Sequence, residues 1–164
     1  MLWKPLFAAW ACGVAMHFLY RPLGRPRFLR ALFPVSENAW EHVKMAFWPL
    51  CTAMIWVGVR SGTPWASVAL ACAAAAGHAV LMMLGLFYTY VAGLGAGHSL
   101  LPADIASFAA VMGCSYAVGL RVLGLDVSAR WGIAAAALLA ITVYLLHRWS
   151  FDPPDLPLFR QGGL

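Results

Sequence analysis

Charge is what this chain has least of. Asp, Glu, Lys and Arg make up only 10% of its 164 residues, against about 25% in soluble domains. So few charges cannot coat a water-facing surface. A soluble enzyme, a nucleic-acid-binding domain and a disordered chain are excluded on that ground. Cysteine is sparse and scattered: Cys12, Cys51, Cys72 and Cys114 fall one each in four apolar runs, with no CxxC pair. That spacing argues against a disulfide framework or a thiolate metal cluster. The glycine-rich stretch Gly93–Gly97 has no strand–helix context for a dinucleotide fingerprint and no Lys-Ser/Thr for a phosphate loop. No internal repeat is visible, which disfavours an inverted-repeat transporter.

What is present is apolar. Hydrophobic residues make up 63% of the chain, and the mean hydropathy is +0.78. A bilayer core takes about 20 apolar residues per helix. Five candidate spans follow: Trp3 to Tyr20, Glu37 to Val59, Pro64 to Tyr90, Pro102 to Leu123 and Ala129 to Trp149. The expected fold is all-α, an integral membrane bundle of five transmembrane helices with short loops over residues 1–150. A proline-rich tail, residues 151–164, follows. The first segment is weakly charged and lacks a clear A-x-A site, so it reads as a retained span rather than a signal peptide. Ser36, Thr63 and Ser128 are placed to cap helices two, three and five, and Pro64 and Pro102 to open helices three and four. Trp3, Tyr20, Trp40, Trp65, Tyr88, Tyr90, Trp131 and Trp149 mark the two interfaces. The small residues Ala71–Gly77 let neighbours approach closely, so helix three is expected at the centre of the bundle.

The net charge of +5 is concentrated. Arg21, Arg25, Arg27 and Arg30 share one loop, without the aromatic and basic interleaving of an RNA module. They read as a cytoplasmic loop beside anionic lipid. The excess of basic residues on that side places the N-terminus outside and the C-terminus in the cytoplasm. No nucleic-acid partner is expected; the bilayer is, and a homo-oligomer is compatible.

Ionisable groups inside a membrane are costly and mark function. His17, Glu41, His42, Lys44, Tyr88, Tyr90, Asp104, His147 and Asp152 all fall near one end of their helices, on the arginine-loop side. At 1.5 Å per residue they share a depth within about 10 Å. The stretch Ser36-Glu-Asn-Ala-Trp-Glu-His-Val-Lys44 carries most of them. Glu and His ligate zinc, manganese or iron, and they pass protons as general acids and bases. The expected metal ligands are His17, Glu41, His42 and Asp104. As catalytic groups, Glu41, His42, Lys44 and Asp104 are expected, with Trp40, Tyr88 and Tyr90 against substrate. A plain structural reading competes with this. First-turn acids favour the helix dipole, and Lys44 neutralises Glu41 or snorkels. His78 sits near mid-membrane, where a histidine bonded to a neighbouring carbonyl is the ordinary reading and a haem ligand or proton relay the sharper one. His98 lies in the glycine-rich loop, and His147 stands at an interface beside Arg148.

The string Phe33-Pro-Val-Ser-Glu-Asn-Ala-Trp-Glu-His-Val-Lys44 resembles the signature of a family of bacterial multi-helix membrane proteins, domain of unknown function 6512. His17-Phe-Leu-Tyr20, Phe87-Tyr-Thr-Tyr90, Asp104-Ile105 with Phe108, and Pro153 to Phe159 match further parts of that pattern. The resemblance implies a small bacterial inner-membrane protein and supplies no activity. Ser36 stands where the pattern has Asn, and the tail after Phe159 departs from it.

The favoured activity is a membrane-embedded enzyme acting on a lipid or other amphipathic substrate at the cytoplasmic leaflet. Lys44 and the arginine loop would then attract an anionic headgroup. A small transporter or channel for protons, metal ions or a small solute is the alternative. Haem held by His42, His78 or His17, and a structural or accessory subunit, are further readings.

Overall fold

The structure is a computed structural model. It describes residues 3–24, 26–36, 38–86, 88, 89 and 101–159, with the backbone alone at 101–103. Five α-helices follow one another: α1 (Trp3–Leu19), α2 (Ala39–Ser61), α3 (Trp65–Leu86), α4 (Leu101–Leu123) and α5 (Ala129–Phe151). Two short 3-10 helices, η1 (Arg27–Ala31) and η2 (Pro157–Phe159), lie before α2 and after α5.

The all-α bundle is as expected, but the count of spans is not. Among the described residues, four helices, α2 to α5, are long and apolar enough to cross a bilayer. The first helix has 17 residues, about 26 Å at 1.5 Å per residue. A hydrocarbon core is about 30 Å thick. Hydropathy alone counted Tyr20 with this segment, but the helix stops at Leu19 and a turn with Gly24 at φ +80° follows. The five-span bundle is therefore corrected to four candidate spans flanked by the shorter α1.

Helix three is central, packing against α2, α4 and α5. Its buried residues are mostly alanine, with Cys72 and Ser67. Small side chains bring helix axes together without leaving voids. Leu50, Met54, Val111, Met112 and Tyr116 fill the core between α2, α3 and α4. The outward faces remain apolar, with Ile55, Leu81, Ile133, Leu138 and Ile141 exposed. Apolar surface that extensive is unsuited to water; it is what lipid-facing helices present. The chain is a helical, multi-pass membrane protein.

The first helix is seated by a proline on its neighbour. Pro49 lies inside α2 and has no N–H, so Met45 O lacks its usual helical donor. Gly13 packs over that carbonyl: a Cβ there would stand 2.5 Å from Met45 O and 2.8 Å from the Phe108 ring. Close Cα–H contacts to a freed carbonyl stabilise such crossings modestly. Gly13→Ala forces α1 away from α2. Overpacking of this kind costs about 1–3 kcal/mol, read as a lowered unfolding midpoint in detergent.

Helix ends explain two shifted boundaries. Ser36 was the expected cap of helix two. Asn38 takes that place instead, and its Oδ1 accepts from Glu41 N at 2.8 Å. Helix two then runs to Gly62, whose φ of +66° lets Thr63 N donate back to Gly58 O at 2.9 Å. Ser128 does occupy the N-cap of α5, though its side chain makes no capping bond.

Candidate functional site

The start of α2 gathers chain segments from across the molecule. Asn38 uses both polar ends of its side chain and its backbone oxygen. Its side-chain oxygen caps the helix, and its Nδ2 donates to Phe159 O at 3.2 Å. Its backbone oxygen lies 2.8 Å from His42 Nδ1. The pairing of Asn38 with Glu41 three residues later is a helix-start signature readable in the sequence.

One turn further in, Glu41 and Lys44 form a sealed ion pair. Their side chains are 2% and 0% exposed, and Lys44 Nζ lies 2.6 Å from Glu41 Oε2. The ammonium also donates to Arg30 O at 2.6 Å and Ser150 Oγ at 2.5 Å. Three short bonds match its three N–H groups. Glu41 Oε2 accepts a further bond from Val35 N at 2.9 Å, and Ser150 Oγ donates to Leu146 O at 2.6 Å. The pair thus pins η1, the 33–35 connection and the end of α5 to α2. Trp48 Nε1 adds a bond to Ala31 O at 3.2 Å.

The two histidines meet on another flank of α2. Helix one packs on α2 and α4, whereas η1 packs on α5. The His17 and His42 rings stand 5.4 Å apart between centroids, tilted by 35°. A carbonyl only accepts hydrogen bonds, so Nδ1 of His42 must donate to Asn38 O. In neutral imidazole that leaves Nε2 with the lone pair. A backbone carbonyl fixing one ring nitrogen is how working histidines are oriented.

The remaining expected site residues are placed as follows. Trp40 is buried in an aromatic cluster, 4.7 Å from Trp149 and 5.5 Å from Phe159 between ring centroids. Two positions along a helix are about 200° of rotation, so Trp40 faces the tail, away from His42. Tyr88 is exposed just beyond α3, and Asp104 is exposed in the first turn of α4. Both lie at the same end of the bundle as His42. Tyr90 and His98 lie outside the described residues. Among the described residues, no three His, Cys, Asp or Glu side chains stand close enough together to hold a metal ion. The expected set His17, Glu41, His42 and Asp104 resolves into one histidine pair, one sealed carboxylate and one exposed carboxylate.

Deeper in the bundle, His78 Nδ1 lies 3.0 Å from Ser115 Oγ, joining α3 to α4. Its partner is a hydroxyl where a carbonyl was expected. An apolar groove of about 300 Å³ runs between α1 and α4, lined by Trp3, Leu6, Phe7, Trp10, Ala109 and Met112. It opens beside the half of α1 remote from His17.

A family model described as a family of unknown function, DUF6512, matches residues 3–163. The chain belongs to that family. No curated protein and no solved structure matches it. For this DUF6512 protein, any chemistry has to be argued from its own residues. Sequence reasoning missed Asn38 as the junction, and it missed Ser150 and Phe159 as partners. The N-x-x-E spacing could have pointed to Asn38. No local pattern marks Ser150, which lies 106 residues from Lys44.

Proposed function

We propose that this DUF6512 protein is a membrane-embedded enzyme that acts on a lipid or other amphipathic substrate by proton transfer at His42. The observation that carries the reading is the 2.8 Å contact of His42 Nδ1 with Asn38 O, which leaves Nε2 as the working nitrogen. His17 shares or relays the proton. Tyr88 and Asp104, both exposed at the same end of the bundle, line the approach from the membrane surface. Glu41 and Lys44 act as positioning residues, because their enclosure keeps them from touching a substrate. If a divalent metal such as zinc, manganese or iron is bound, His17 and His42 are its protein ligands, and it supplies Lewis acidity at the same place. The end carrying η1 faces the cytoplasm of a bacterial inner membrane, as its arginines favour.

The test compares lipid extracts of cells expressing wild type or His42→Gln at matched abundance, by mass spectrometry. Lipid species that change with wild type and stay unchanged with His42→Gln support the reading. Identical extracts, or the same change with both proteins, contradict it. A second reading, proton conduction, draws on the mid-bundle His78–Ser115 contact. It predicts dye-reported proton flux in liposomes that His78→Phe removes.

A further inference from the structure

We propose that η1 is a phosphate-headgroup site for an anionic phospholipid of the surrounding leaflet. In a 3-10 helix, side chains three residues apart eclipse one another. Arg27 and Arg30 are so spaced, and both belong to η1. They therefore project from one face as a pair of guanidinium groups. Among the described residues, neither has a carboxylate partner, whereas Arg148 is paired with Asp152.

Arg30 is held as a binding group is held. Its guanidinium carbon lies 5.5 Å from the Phe151 ring centroid. Its Nε is buried and meets no acceptor among the described residues. A buried donor without an acceptor is costly, and an anionic oxygen relieves that cost. The backbone beneath is fixed at consecutive residues: Lys44 grips Arg30 O, and Trp48 grips Ala31 O. The arginines thus stand on a pinned platform. Paired planar forks suit the oxygens of a phosphate better than ammonium groups do.

The surroundings select a lipid over a dissolved anion. Phe28, between the two arginines in sequence, is 77% exposed, and Leu23 and Leu32 are exposed beside it. The platform lies level with the start of α2 and the end of α5, where headgroups meet hydrocarbon. Exposed aromatic and aliphatic groups there dip into acyl chains, while the guanidinium pair meets the phosphate. This site adjoins α5, apart from His17 and His42, and it requires no reaction at those residues.

The experiment is native mass spectrometry of the full chain in detergent, titrated with phosphatidylglycerol or phosphatidylcholine of identical acyl chains. Wild type is expected to retain the anionic lipid at least ten-fold better. R27A/R30Q should bring retention down to the phosphatidylcholine level. R60A, which removes a cation resting on Trp56 at the opposite end of α2, should change nothing. Arg27 is exposed, so R27A alone tests the site if the double variant does not fold; at least a three-fold loss is expected. Inorganic phosphate at 10 mM (roughly a hundred-fold over protein) should not displace the lipid if binding is lipid-specific. Equal retention of both lipids by wild type would overturn the proposal. So would undiminished retention by R27A, or displacement by phosphate, which would reassign the pair to a soluble anion. Each outcome is read without an activity, so it stands or falls separately from the role given to His42.

Discussion

Replacing Lys44 by methionine is expected to destabilise the protein by about 3–5 kcal/mol, the range for breaking one side of a buried pair. The reason is what remains. Glu41 is left enclosed without its counter-ion, and Val35 N is the one remaining donor to its side chain among the described residues. Arg30 O and a lone pair of Ser150 Oγ also lose their donor. Methionine fills much of the volume, so the loss is electrostatic rather than a cavity effect. The control is Glu41→Gln combined with Lys44→Met. Glutamine still accepts from Val35 N, and no charge is left to compensate. About 1–2 kcal/mol is expected for the double variant, chiefly from Arg30 O. Unfolding in detergent, followed by tryptophan fluorescence against denaturant, compares the three proteins. A double variant no more stable than Lys44→Met would show that the pair is not the pin described here.

The second large effect is on rate. Positioned acid–base groups contribute about 10²–10⁴-fold, and under the proposed function His42→Gln should lose that much turnover. Glutamine keeps polarity and approximate length but does not take up and release a proton at neutral pH. Its stability cost should be small, on the order of 1 kcal/mol, the size of one part-buried hydrogen bond such as that to Asn38 O. His17→Gln should reduce turnover less, as befits a partner ring at 5.4 Å rather than the base proposed at His42. Rate and stability should therefore separate at His42 and move together at Lys44.

Much of this arrangement was legible in the chain. The apolar runs placed α2 to α5 within a few residues, because lipid demands long uninterrupted helices. The run of alanines in α3 announced a central helix. The clustering of His17, Glu41, His42 and Lys44 at one depth followed from a rise of 1.5 Å per residue. Depth is a one-dimensional quantity, however, and rotation is not. Glu41 and His42 are neighbours in sequence but lie about 100° apart around the helix. One turns inward to Lys44 and the other meets His17. Residue spacing grouped them as a single site; the fold separates them into a structural pin and an imidazole pair. Hydropathy also overcounted the spans, since it registers an apolar run but not where a helix ends. The long-range partners were beyond reach for another reason. Ser150 and Phe159 come to α2 only through the packing of α5 and the return of the tail, and no local pattern encodes that.

The central claim is that His42, not the ion pair beside it, handles the proton. The most direct measurement is the turnover of the amphipathic species altered in cells, by purified protein in lipid nanodiscs. Wild type, His42→Gln and the Glu41→Gln/Lys44→Met double variant are compared at equal folded amounts. The account predicts a loss of roughly a hundred-fold or more for His42→Gln and less than about ten-fold for the double variant, whose groups only position others. A double variant that is inactive while His42→Gln turns over normally would contradict it, and would move the chemistry to Glu41 and Lys44.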